Sequence, residues 1–145
     1  MASRNMAPVR SLQRGLTKVV GRFTGANPVT NPPVNLLGVG IISVARTAAG
    51  RYLVTFNGRY TRLLHLSACV WNGVTGGAAP AVADARVVHA RAPLDAVVGG
   101  RLVTQVEFFV TNNTGAEAIS DLGAGDVLSF EAVFVNSRTP PPRGN

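Results

Sequence analysis

No acidic residue precedes Asp84 in this chain of 145 residues. The first 83 positions therefore carry nine positive side chains, Arg4, Arg10, Arg14, Lys18, Arg22, Arg46, Arg51, Arg59 and Arg62, and no negative one. From Asp84 onward five basic residues face seven acidic ones, which leaves the whole chain at +7. A chain polarised this way either meets an anionic partner with its N-terminal half or docks there on acidic protein, including the C-terminal half of another copy. Cysteine is nearly missing: Cys69 stands alone, which excludes an intrachain disulfide framework and any dependence on an oxidising compartment. No apolar run approaches the roughly 18 residues of a spanning helix, and the start lacks the apolar core of a secretory signal. Nothing in the sequence marks secretion or membrane insertion. An acid-free, Arg-containing start also resembles an organellar transit peptide, but its serine content is low.

Site chemistry is equally thin. His65, Ser67 and Cys69 alternate along one expected strand and so share a face. Their functional atoms would sit too far apart for a nucleophile and its base, no carboxylate accompanies them, and they read as the more polar side of a packed strand. His89 stands apart, and one Cys with two His gives no metal-ligand spacing. The carboxylates Asp84, Asp95, Glu107, Glu117, Asp121, Asp126 and Glu131 form no catalytic motif. Gly38-Val39-Gly40 leads into β-branched residues where a phosphate-binding loop needs a helix, so its glycines serve a bend entering a sheet. Asn112-Asn113-Thr114 is a formal glycosylation sequon, without meaning unless the chain is secreted. The expectation is no enzyme, no cofactor and no metal.

What is present is a chain of one domain's length, able to bury roughly 70% of its unfolded surface, organised as arm, domain and tail. Residues 1–37 form a basic arm with Pro8, Pro28, Pro32 and Pro33, residues 38–137 the domain, and residues 138–145 a tail with Pro140, Pro141 and Pro142. Ala26 to Asn35 favours polyproline-type backbone that cannot pair as a central strand, which suits a semi-rigid spacer. Before it, Val9 to Phe23 has helical spacing: Leu12, Leu16, Val19, Val20 and Phe23 fall on one side, and Arg10, Arg14, Lys18 and Arg22 step by four around the other. The spacing predicts a short basic amphipathic helix that needs a partner surface, since Gly15 and Gly21 each cost about 1 kcal/mol in a helix. A disordered basic arm is the alternative. Arg10, Leu12, Arg14, Leu16, Lys18 and Arg22 are accordingly the expected partner contacts.

The domain reads as all-β. Gly40 to Thr47, a Gly-containing loop and Arg51 to Phe56 make a hairpin. Leu63 to Trp71, Ala85 to Ala90, Arg101 to Val110 and Val127 to Val135 follow as strands, bounded by Gly, Asn, Asp or Pro. Tyr52, Val54 and Phe56 share an apolar face, as do Leu128, Phe130, Ala132 and Phe134. Short strands with turn signals and no helical pattern between them argue an antiparallel β-sandwich or jelly roll. Trp71, beside Asn72-Gly73, reads as a lid on the core, with an exposed platform for a sugar as the other reading.

The stretch from Gly38 to Phe56 (GVGIISVARTAAGRYLVTF), followed by Tyr60 and Leu63-Leu64, resembles a hairpin of small virion structural proteins of tailed bacteriophages. The closing segment Phe130-Glu131-Ala132-Val133-Phe134-Val135-Asn136-Ser137 is similar to their last strand. The resemblance covers residues 38–71 and 125–137, and the long basic arm departs from it. It implies a capsid decoration or cement protein, located in the virion and assembled in the bacterial host cytoplasm. Its partners would be further copies of itself, as a homotrimer, and the major capsid protein or other virion proteins. The alternatives are a nucleic-acid-binding module using the basic arm and a carbohydrate-binding virion appendage.

Overall fold

A computed structural model describes residues 16–60, 62–72, 86–112 and 119–135. Nine strands follow one another: β1 (Leu16–Thr24), β2 (Val34–Gly38), β3 (Ile41–Ala48), β4 (Arg51–Phe56), β5 (Arg62–Asn72), β6 (Arg86–Ala90), β7 (Leu94–Val98), β8 (Arg101–Asn112) and β9 (Asp126–Val135). They form two antiparallel sheets, one ordered β2-β1-β9-β5 and the other β3-β4-β8-β6, with β7 also pairing β8. The chain is the all-β sandwich expected from its short, turn-bounded runs.

The alternation of side chains explains why the two sheets close on each other. Tyr52, Val54 and Phe56 of β4 are buried, as are Leu128, Phe130, Ala132 and Phe134 of β9, so the expected strand phases hold. Val106, Phe108 and Val110 of β8 complete the facing layer. The aromatic rings meet edge to face, Phe56 on Phe134 at 4.9 Å and Phe108 on Phe130 at 5.0 Å, while Tyr60 stacks on Phe134 at 4.5 Å. Such geometry sets the negative face of one ring against the positive edge of the next.

The N-terminal expectation needs correction. Leu16 to Phe23 is strand β1, and the helix expected over Val9 to Phe23 does not form across its described part. Val19, Gly21 and Phe23 are buried while Leu16, Lys18, Val20 and Arg22 are exposed, a period of two instead of 3.6. Helical spacing of apolar residues was real but ambiguous. The β-branched Thr17, Val19 and Val20 and the interior Gly21 cost a helix more than a strand, and β9 offers β1 a full antiparallel partner from Leu16↔Val135 to Thr24↔Val127. Gly21 makes room there: a Cβ would collide with Ile41 Cδ1 and stand 2.8 Å from Phe130 Cζ, so those side chains would have to shift. Since β1 lies inside its sheet and β2 beside it, the domain includes residues that were assigned to an arm ending at residue 37. The Pro-rich stretch is the β1–β2 connection, and β2 is an edge strand, consistent with Pro32 and Pro33 immediately before it. Residues 138–145, the expected tail, lie outside the described residues.

Two connections position the surfaces discussed below. Gly99 and Gly100, with φ of 57° and 75°, close a two-residue turn between β7 and β8. Between β6 and β7 the pairing with β8 shifts by one residue, from Ala90↔Phe108 to Leu94↔Gln105, around Arg91-Ala92-Pro93. Proline cannot donate to the ladder, so it sits where the ladder is already broken.

Candidate assembly and binding surfaces

Of the six expected partner contacts, Arg10, Leu12 and Arg14 lie outside the described residues. Leu16, Lys18 and Arg22 stand on the outer face of β1, with Val20 between them. They are brought together, but on a sheet, and not as a basic stripe opposed to an apolar one. Charge and apolar side chains share this face. Lys18 is committed to Glu131 of β9 at 3.0 Å. Arg22 has no carboxylate partner among the described residues.

Around Arg22 all four strands of the sheet contribute to an open recess of about 330 Å³, lined by Arg22, Thr24, Asn35, Leu37, Trp71 and Val127. The register brings them together: Arg22 pairs with Leu37 on one side and Ser129 on the other, while Thr24 and Trp71 both pair with Val127. Asn35 has φ 52° at an irregularity of the β1–β2 pairing between Arg22 and Thr24. That left-handed backbone suits Asn better than most residues. The indole Nε1 of Trp71 donates to Ser129 Oγ at 3.0 Å, which fixes the ring on the outside of the sheet. Trp71 keeps 43% of its surface exposed, so the core-lid reading gives way to that of an exposed platform.

His65, Ser67 and Cys69 are exposed on the outer face of β5. The polar-side reading is correct in phase, although that side meets solvent and not another layer. No group of three His, Cys, Asp or Glu positioned to hold a metal occurs among the described residues.

A second surface is carried by β7, Leu94–Val98, which is not among the expected strands. Among the described residues β7 pairs only with the first part of β8, Arg101 to Gln105, whereas β4 meets β8 from Gln105 onward. The two-stranded ribbon thus extends past the end of β4. The chain after β4 supports its base: the Thr104 amide donates to Gly58 O at 2.8 Å, and Thr104 Oγ1 accepts the Tyr60 amide at 2.7 Å. Arg59 pairs with Asp95 at 3.1 Å. At that base Leu94 is 61% exposed, and beyond it Val97 is 70% exposed, with Val98 and Leu102 also open to solvent. The sequence signal for this ribbon is Gly99-Gly100, a two-residue hairpin turn flanked by the apolar pairs Val97-Val98 and Leu102-Val103.

On the outer face of the β3-β4-β8-β6 sheet, charged and polar side chains are paired around Phe109. Phe109 lies between the guanidinium groups of Arg51 and Arg91 at 5.2 and 5.1 Å from its ring centre, and Glu107 takes Thr47 Oγ1 at 3.0 Å and Arg91 at 3.6 Å. Exposed pairs of this kind contribute little to stability.

A third cluster ties the β8–β9 connection to the β3–β4 hairpin. Arg46 donates through Nε and Nη2 to the two oxygens of Asp121, each at 2.8 Å, and the Gly50 amide donates to Asp121 Oδ1 at 2.8 Å. These contacts hold the Asp121 carboxyl below the usual carboxylate range, chiefly through the Arg46 hydrogen bond. Burial pushes the Tyr52 hydroxyl up to about 12. Both carboxylate oxygens of Asp121 and the Tyr52 hydroxyl are hydrogen-bonded within the cluster, so it reads as a clasp. Among the described residues, all of the carboxylates are engaged in this way: Asp95, Glu107, Asp121 and Glu131 in ion pairs, and Asp126 on the Gly123 amide.

Comparison of this chain with protein-family models, with curated proteins and with solved structures finds no match.

Proposed function

We propose that this chain is a structural protein of a bacteriophage virion, a capsid decoration or cement protein that associates with further copies of itself, as a trimer, and attaches to the capsid lattice. The observation that carries the assembly reading is the β7–β8 ribbon, which holds Val97, Val98 and Leu102 in solvent on a two-stranded extension, with Leu94 exposed at its root. Two strands alone bury too little to be stable in water. An apolar ribbon on a rigid sandwich suits a part that a neighbouring subunit covers, and the outer edge of β7 has no strand partner among the described residues, so it is available for strand addition. The virion assignment rests on the sequence resemblance of residues 38–71 and 125–137. Such a role needs no catalytic site and no cofactor.

The basic-arm reading as a nucleic-acid module has less support, because Lys18 is neutralised by Glu131 and Leu16 and Val20 interrupt the charges of β1. Quantitative mass spectrometry of purified particles tests the proposal. The chain is expected at a fixed ratio to the major capsid protein, and its absence from the particles contradicts the virion role.

A further inference from the structure

We infer that the recess at Trp71 and Arg22 is a binding site for a single sugar ring carrying a carboxylate, as in an acidic polysaccharide. This inference does not depend on the assembly proposal, which uses the β7–β8 ribbon. Four features of the recess converge on that ligand. Trp71 presents a half-open indole whose position is fixed by the Nε1 bond to Ser129, and a fixed indole face packs against the C–H face of a pyranose with little further loss of freedom. Arg22 is exposed beside it, is not engaged by any carboxylate among the described residues, and presents the fork of donors that matches a carboxylate. Asn35 and Thr24 line the same recess and supply both donors and acceptors for ring hydroxyls, while Leu37 and Val127 give it an apolar wall. Among the described residues, no acidic residue lines it.

Size and composition decide between a sugar and a nucleic-acid strand. At about 330 Å³ the recess is at the lower end of small-molecule sites, enough for one ring and its substituents. Single-stranded nucleic acid is held by successive stacked bases along a positive groove. Among the described residues, Trp71 is the only Phe, Tyr or Trp on the outer face of its sheet, since Phe23, Phe130 and Phe134 all point into the core. One ring and one free guanidinium fit one charged sugar unit better than a strand.

The chain has a single tryptophan, so its tryptophan fluorescence, excited selectively over that of the two tyrosines, reports on this recess alone. The full-length protein is titrated with oligo-glucuronate, with a neutral cello-oligosaccharide of equal length, and with an oligothymidylate of equal charge. The expected result is a saturable change in emission with oligo-glucuronate and a much weaker one with the neutral sugar. Arg22→Gln should lose about tenfold in affinity or more, the usual worth of a hydrogen-bonded charge contact, and Lys18→Gln should match the wild type. Both positions are exposed, and circular dichroism verifies that the variants fold. No response to the acidic sugar up to millimolar concentration, an unchanged affinity in Arg22→Gln, or a response to the oligonucleotide alone would each overturn the inference.

Discussion

The hydroxyl of Tyr52 stands 3.3 Å from the carboxylate of Asp121, to which it donates, and it accepts the Leu122 amide at 2.9 Å. One buried oxygen therefore joins β4 to the segment that carries the chain across to β9. Leu122 itself is buried in the core, so its amide has no water to turn to. Tyr52→Phe keeps the ring that packs on Phe23 at 5.5 Å but leaves that amide unpaired. A loss of about 1–3 kcal/mol is expected for an orphaned buried donor, measured by chemical denaturation. A loss within experimental error would show that the clasp is incidental.

The same clasp fixes the sign of two pH effects. Asp121 has its folded-state pKa depressed, mainly by Arg46, so its stabilising contribution is complete above the unfolded value and is lost as pH falls from about 4 through the folded value. Tyr52 has a folded-state pKa raised to about 12 by burial, against an ordinary value of 10.0. Between those values the unfolded chain sheds a proton that the folded chain keeps, so stability falls as pH rises. Denaturation midpoints measured across pH should decline at both ends. Asp121→Asn should flatten the acid limb, and Tyr52→Phe should reduce the alkaline slope; Tyr60, also raised by burial, retains part of it.

Strand β1 is an integral part of the sandwich, and two changes test this. Gly21→Ala places a methyl group against Ile41 and Phe130 and should cost about 1–3 kcal/mol, the usual range for overpacking a core. Deleting residues 1–25 removes the strand between β2 and β9 and should abolish the cooperative unfolding transition. A deletion variant that melts like the full chain would mean that β1 is an appendage after all.

The sequence made the inner faces legible and the outer ones obscure. Tyr52, Val54, Phe56, Leu128, Phe130, Ala132 and Phe134 announced themselves because strict alternation of large apolar side chains has one physical explanation in a strand. Val9 to Phe23 admitted two, since apolar residues at 12, 16, 19, 20 and 23 satisfy a helix while 19, 21 and 23 satisfy a strand whose middle inward position is glycine. Only the tertiary neighbours Ile41 and Phe130 show that the glycine is filled from outside its own chain segment. The Trp71 recess was invisible for a related reason. Its lining comes from β1, β2, β5 and β9, which only the pairing register brings side by side. The clasp between Arg46, Tyr52 and Asp121 likewise spans about half the chain and leaves no local pattern.

Assembly through the β7–β8 ribbon is tested most directly by the solution mass of the full chain, measured by light scattering from micromolar to millimolar concentration beside a Val97→Asp, Leu102→Asp variant. Both positions are exposed, so the variant should fold, with an unchanged circular dichroism spectrum. The wild type is expected at the mass of three chains and the variant at that of one. A wild type that stays at the mass of one chain throughout, or a folded variant that keeps the wild-type oligomer, would contradict the account.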